Sequence, residues 1–180
     1  MLPIGSDFQQ DFFSLFNLPA RFQIDTTLLE QNYRSLQAQF HPDKFAHLAE
    51  SERRLSMQWS TRINEGYQTL RNPLNRARYL LSLRGVDTQE ESNTSMPGNF
   101  LVQQMEWREA LEEGRQAKNN AVLDEMEQHM QHTRRDLEQE LARDLDDTHD
   151  YAAASGIVRK LKFLEKFAED IGSAYDELDS

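Results

Sequence analysis

Apolar residues recur at spacings of three and four along almost the whole chain, and that rhythm admits one class of fold. Leu29, Tyr33, Leu36 and Phe40 make one series, and Leu55, Trp59, Ile63, Tyr67 and Leu70 make another. Leu123, Met126, Met130, Leu137, Leu141 and Leu145 follow, and then Ile157, Leu161, Leu164, Ala168, Ile171, Tyr175 and Leu178. A period near 3.6 puts each series on one helix face, whereas a half-buried strand requires alternation, and no convincing alternating segment appears. The chain is predicted to be all-α.

The breaks between the series set the order of elements. Phe8, Phe12 and Leu15 or Phe16 predict a short first helix ending near Asn17-Leu18-Pro19. Asp25-Thr26-Thr27 offers N-caps for a second helix to about Phe40, with Thr27 and Glu30 in capping-box spacing. A third helix of about 20 residues follows the series from Leu55 to Leu70. Asn72-Pro73 starts a fourth, because proline is tolerated in the first turn, and "RARYLLSL" carries it to Leu83. The stretch "LRGVDTQEESNTSMPGN" gathers Gly, Ser, Asn, Thr and Pro without periodicity and reads as a linker. Beyond it three longer helices are expected, the first from about Asn99 to Ala117. Short connections make neighbouring helices antiparallel, which predicts a three-helix bundle. The expected organisation is a first domain over 1–84, a linker over 85–98 and a helical bundle over 99–180.

Composition excludes several functions. The sequence has 38% apolar and 28% charged residues, the profile of a globular chain, and no apolar run approaches the roughly 20 residues of a membrane helix. The opening "MLPIGSDFQQDFF" has no basic region and carries Asp7 and Asp11, so it reads as neither a secretory signal nor a transit peptide. Cysteine is absent, which removes disulfides, cysteine-ligated zinc and thiol nucleophiles, and fits a reducing, cytoplasmic setting. Residues 1–84 hold 10 Lys/Arg against 8 Asp/Glu, while residues 85–180 hold 10 against 23. That distribution argues against wrapping nucleic acid and for two units with different partners.

The sharpest irregularity is "QAQFHPDKF", residues 37–45, where His41-Pro42-Asp43 interrupts the helical rhythm. Pro42 disfavours helical geometry at His41, so the second helix must end close to Phe40. The second and third helices then form an antiparallel pair joined by a loop over 41–50, with Phe45 placed to fold back over its open end. The His41 ring and the Asp43 carboxylate are left near a loop tip, where function is commonly carried.

In this context the chain resembles the J-domain (DnaJ-like) co-chaperones. "YRSLQAQFHPDKF" is followed by a long helix bearing "INEGYQTLRNPLNRARY", similar to that family's pattern. Gly66 stands where Ala is usual, a departure costing about 1 kcal/mol of helix propensity. More specifically, "LFNLPARFQID", "HPDKF", "NPLNRARYLLSLRG" and "VRKLKFLEKF" resemble HscB-type co-chaperones of iron–sulfur cluster assembly over roughly residues 10–178. Some members carry an N-terminal cysteine-rich metal-binding segment, and without cysteine no such zinc site is expected here.

The resemblance implies a J-domain over 1–84 that engages an Hsp70-type ATPase of the HscA class and stimulates it. Asp43 is then the charged contact, His41 an orienting or hydrogen-bonding group, and Pro42 the lock on geometry. The helix before the loop, normally more basic in this family, offers Arg34, with Lys44 in the loop. No cofactor is implied, and no catalytic or metal residue. A bacterial cytoplasmic location follows from the same resemblance.

A second surface is expected on the helix "NFLVQQMEWREALEEG". Phe100, Trp107 and Leu111 make its core stripe. At about 100° per residue, Leu101 and Met105 lie roughly 90–130° away, and Val102 further round. In the last helix Phe163 sits roughly 120° from the stripe of Leu161, Leu164, Ala168 and Ile171. Apolar residues outside a core stripe either pack against the linker or first domain or form an interaction patch. The resemblance implies that Leu101, Val102, Met105 and Phe163 bind an iron–sulfur scaffold protein of the IscU type, with Glu106 and Glu109 as a polar rim.

Three alternatives bear on this reading. His129 and His132, with Glu125 and Asp136 a turn away, make a metal site conceivable, but there is no third His and no Cys. His41 and His47 share a loop without a serine constellation, and neither a phosphate-cradling glycine loop nor a His-Glu-x-x-His helix occurs. An enzyme is therefore not expected. A general J-protein delivering unfolded clients to a housekeeping Hsp70 is the rival binding function. The chain lacks the Gly/Phe-rich linker and cysteine-rich zinc module expected of it. Self-association through the exposed apolar residues stays open.

Overall fold

The computed structural model describes residues 8–93 and 95–178, which contain helices and no strand. In chain order they are α1 (Phe12–Leu15), α2 (Thr26–Phe40), α3 (Glu50–Arg71), α4 (Pro73–Leu83), α5 (Gly98–Ala117), α6 (Asn120–Ala142) and α7 (Tyr151–Leu178). A 3-10 turn covers Pro42–Phe45 and a π turn covers Arg143–Asp147. The chain divides into two compact units, with the boundary between Leu80 and Leu81 inside α4.

The first unit is organised around the α2–α3 pair. Asp25 starts α2, its carboxylate accepting the Leu28 N–H at 3.0 Å. The expected Thr27–Glu30 capping box is not used, because a cap two residues earlier, Asp25, already satisfies the first turn. Glu30 instead pairs with Arg34 one turn on. Away from the loop, Tyr33 stacks on Tyr67 at 3.9 Å between ring centroids and donates to Asn64 at 2.9 Å. Next to the loop, the buried Ser56 hydroxyl donates to the Phe40 carbonyl at 2.9 Å. Contacts that step outward from the loop in this order make the pair antiparallel.

The core face of α3 keeps Trp59, Ile63 and Leu70 of the expected series and takes Ser56 and Gly66 in place of Leu55 and Tyr67. Ser56, Trp59, Ile63, Gly66 and Leu70 are buried, while Leu55 is exposed and Tyr67 only half-buried. Small residues win here because neighbours must come close. A Cβ on Gly66 would lie 2.9 Å from Phe12 Cδ1 and 3.0 Å from Phe16 Cε2. Gly66 therefore makes room for the aromatic residues of α1 and its C-cap, at the helix-propensity cost noted above. The Phe12 N–H donates to the Tyr79 hydroxyl at 3.0 Å, and burial pushes that phenol above its ordinary pKa. Arg76, also buried, donates to the Leu70 carbonyl at 2.7 Å and lies 5.0 Å over the Phe22 ring.

In the second unit α5, α6 and α7 pack on one another as an up-down-up bundle. α6 stops at Ala142 rather than continuing regularly to Leu145, because the π turn widens the backbone there and leaves Asp144 buried beside Arg143. Tyr175 donates to Asp124, tying the end of α7 to the start of α6. Burial and then that carboxylate push its phenol up to about 12. Part of the expected linker is fastened to α7: Arg159 donates to the Thr88 carbonyl at 3.0 Å, and Lys162 pairs with Glu91 at 2.9 Å. No helix among the described residues is long and apolar enough to cross a membrane.

Candidate functional site

The loop tip is built by backbone restrictions. α2 ends at Phe40, and His41 takes φ −60° and ψ 128°, the extended geometry favoured before proline. Pro42 then opens the 3-10 turn, closed by the Lys44 N–H donating to the His41 carbonyl at 3.0 Å. His41, Pro42, Asp43 and Lys44 are all exposed, and Phe45 is half-buried. The Asp43 side chain is 90% exposed, so the unit itself barely covers its charge. His41 Nδ1 accepts the Asp43 N–H at 3.3 Å and stands 3.5 Å from Asp43 Oδ2.

Arg34 lies on α2, six residues before the end of that helix, with its guanidinium on Glu30. An exposed pair at this spacing contributes about 0.3–0.5 kcal/mol, so it weakens the positive field without immobilising the side chain. The same helix gives no further Lys or Arg.

The second cluster is on the bundle. Leu101, Val102 and Met105 of α5 are 45%, 55% and 63% exposed, and Glu106 and Glu109 beside them are exposed too. None of the three apolar side chains is sealed by the linker segment fastened to α7. Phe163 of α7 differs from expectation. It is half-buried, because the core line of α7 runs through Leu164, Phe167, Ile171 and Ala174 rather than through Ala168 and Tyr175. Trp107 decides the phase: its ring stacks on Phe163 at 6.3 Å and on Phe167 at 6.1 Å, while Phe100 meets Phe163 edge-on at 5.8 Å. Phe163 is thus the outer member of an aromatic stack, set beside an exposed aliphatic strip.

Similarity to known proteins covers both clusters. A family model described as the HSCB C-terminal oligomerisation domain matches residues 96–172. A co-chaperone protein HscB homolog from Aromatoleum aromaticum is 51% identical over 174 residues, which is 97% of this chain and 98% of the relative. The chain belongs to the HscB co-chaperone family. A homolog from Bordetella petrii is 51% identical over 164 residues, covering 91% of this chain and 95% of its own. Among solved structures, the chaperone HscB from Vibrio cholerae superposes with a TM-score of 0.82 at 36% identity, over 94% of this chain and 99% of its own. The human co-chaperone protein HscB does so with a TM-score of 0.86 at 31% identity, over 92% and 82%. The resemblance carried by "HPDKF" and "NPLNRARYLLSLRG" is that of the whole family fold, all-α with a J-like unit ahead of a helical bundle.

Two cations near the patch escaped sequence reasoning. The Arg108 guanidinium lies 5.9 Å over Phe163, and the Lys160 ammonium lies 5.5 Å over Phe100. The rim of this exposed patch is therefore of mixed charge, not acidic alone. Arg108 lies between Glu106 and Glu109 in sequence, and only the helix packing reveals which ring it covers. Ser56, at the base of the tip, was also missed, since a serine inside an apolar series carries no signal until its partner carbonyl is known. The His129 ring meets Trp107 edge-on at 5.6 Å, and His132 pairs with Asp136 at 3.4 Å. Among the described residues no three His, Cys, Asp or Glu side chains group as metal ligands.

Proposed function

We propose that the chain delivers an iron–sulfur cluster scaffold protein of the IscU type to an Hsp70-type chaperone of the HscA class and stimulates that chaperone's ATPase. His41, Pro42, Asp43 and Lys44, with Arg34, form the ATPase contact. Leu101, Val102, Met105 and Phe163, rimmed by Glu106 and Glu109, form the scaffold contact. The division into a J-domain over 1–84, a linker over 85–98 and a client-binding bundle over 99–180 belongs to the same reading. So does a place in the bacterial cytoplasm, which the cysteine-free sequence and the bacterial relatives support.

The observation that carries this reading is the Asp43 carboxylate, 90% exposed on a turn closed by the Lys44 N–H on the His41 carbonyl. Desolvated against a partner cation, breaking the pair costs about 2–5 kcal/mol. The chain performs no chemistry on ATP; its contribution is a charge placed where the partner ATPase reads it. The patch suits a folded client, because fixed aromatic and aliphatic side chains with a charged rim match the core-and-rim anatomy of specific interfaces.

The decisive experiment is steady-state ATP turnover by a co-purified HscA-class Hsp70, alone, with this chain, with scaffold, and with both. The expected result is no turnover by the chain alone, stimulation of the Hsp70 by the chain, and greater than additive stimulation when scaffold is present. Unchanged turnover would remove the ATPase reading. An unfolded polypeptide that substitutes fully for the scaffold would favour the general J-protein.

A further inference from the structure

The three residues of the tip divide one task. Pro42 has no N–H, so the first donor of the turn that needs an acceptor is that of Asp43. His41 precedes it in the extended geometry that a cap requires. From there Nδ1 accepts the Asp43 N–H at 3.3 Å, as the side-chain oxygen of Ser, Asn or Asp does at ordinary helix starts.

We infer that His41 is a positioning residue, whose unprotonated Nδ1 caps the Pro42–Phe45 turn and thereby holds the Asp43 carboxylate outward. This rests on the reading of the tip as an ATPase contact. An accepting Nδ1 requires the ring proton on Nε2. The opposite tautomer sets donor against donor at the Asp43 amide and turns instead to Oδ2, 3.5 Å away, folding the acid back onto the loop. With Nδ1 occupied by the backbone, both carboxylate oxygens stay available to a partner. The imidazole thus acts on the ATPase through Asp43, in addition to its place in the contact surface of the tip. Proline serves twice, fixing the cap geometry of the residue before it and removing the one donor that would compete for the ring nitrogen.

Asparagine provides the test, because its Oδ1 takes the place of Nδ1 and caps as well, whereas glutamine carries its oxygen one methylene too far. In the Hsp70 turnover assay with the full chain, His41→Asn is expected to retain more of the parent's stimulation than His41→Gln. His41→Gln should lose about five- to tenfold, the population cost of one missing cap. Nitrogen-resolved NMR of the parent chain should show His41 Nδ1 unprotonated and accepting. Equal stimulation by the two variants, at whatever level, overturns the inference, and so does a proton found on Nδ1. Full stimulation by Asp43→Asn in the same assay is a different failure. It removes the ATPase-contact reading, while the NMR measurement on the isolated chain still decides whether His41 is the cap.

Discussion

The tip and the patch are opposite solutions to presenting a surface. The tip is made by the consecutive residues 41–44 in a backbone turn, with the Asp43 charge as its proposed active feature. The patch is assembled from α5 and α7, whose contributing residues Leu101 and Phe163 lie far apart in sequence, and on the proposed reading it would bind by apolar area. A charge at a tip needs precise aim and little support, because its value appears only when a partner desolvates it. An apolar patch needs a rigid foundation, since exposed side chains without one collapse into the core. Here the stack of Phe100, Trp107, Phe163 and Phe167 is that foundation. The first surface is local in sequence and the second is tertiary, which predicts that mutations will uncouple function from stability at the tip more cleanly than at the patch.

The largest expected effect tests the tip. Asp43→Asn keeps shape and removes charge, so Hsp70 stimulation should fall at least about thirtyfold, the lower end of the cost of an unpaired desolvated charge. Helicity by circular dichroism should not change. A variant that stimulates normally would break the contrast, since the tip would then have no active feature.

Next come the two kinds of patch residue. Met105→Ala and Phe163→Ala should each weaken scaffold binding by about 1–2 kcal/mol, the scale of an interface anchor. Only Phe163→Ala should also destabilise the bundle, by about 2 kcal/mol, because it opens the stack beneath the strip. Equal stability losses for the two would mean that the strip is as structural as the stack. Scaffold binding that survives the double change with the fold intact would sink the client-surface assignment. Sedimentation of the parent chain alone distinguishes client binding from self-association, which the description of the matching family model raises.

The smallest effect refines the picture of what supports the tip. Gly66→Ala gains about 1 kcal/mol of helix propensity but overpacks Phe12 and Phe16, which typically costs about 1–3 kcal/mol. A net loss of about 1 kcal/mol in denaturant unfolding is expected, with ATPase stimulation unchanged at saturating chain. A gain in stability would show that the rings yield to a methyl group.

Legibility followed the same division. The end of α2 at Phe40 and the start of α4 at Pro73 were readable because proline restricts the backbone whatever surrounds it. Trp107 and Leu111 were readable as core because spacings of seven and four put them on one face of α5 with Phe100. α7 was read correctly at Ile157, Leu161, Leu164 and Ile171 but not at Ala168 and Tyr175, whose places in the core go to Phe167 and Ala174. Its sequence allows Leu164, Ala168, Ile171 and Tyr175 to share a stripe as readily as Leu164, Phe167, Ile171 and Ala174. Periodicity fixes the angle between residues but not the face a neighbour will occupy. The choice fell to Trp107 on another helix, and with it the half-burial of Phe163. The linker was readable as irregular chain, but its attachment through Arg159 and Lys162 was not, since nothing in "DTQEE" names a partner on a helix some 70 residues on.

What this sequence determined by itself was everything set by the chain's own stereochemistry. That includes helices throughout, their ends at proline and cap residues, and an acid left outside at the break between two of them. What only the tertiary structure decided was which side of each helix faces inward. The same choice settled whether a glycine is a weakness or a seat for two aromatic rings, and how far an aromatic side chain rises from the core. Backbone restrictions act within a few residues and are written in order along the chain. Packing is a contest among all the surfaces that could be buried, and the winner depends on the shape of whatever meets them.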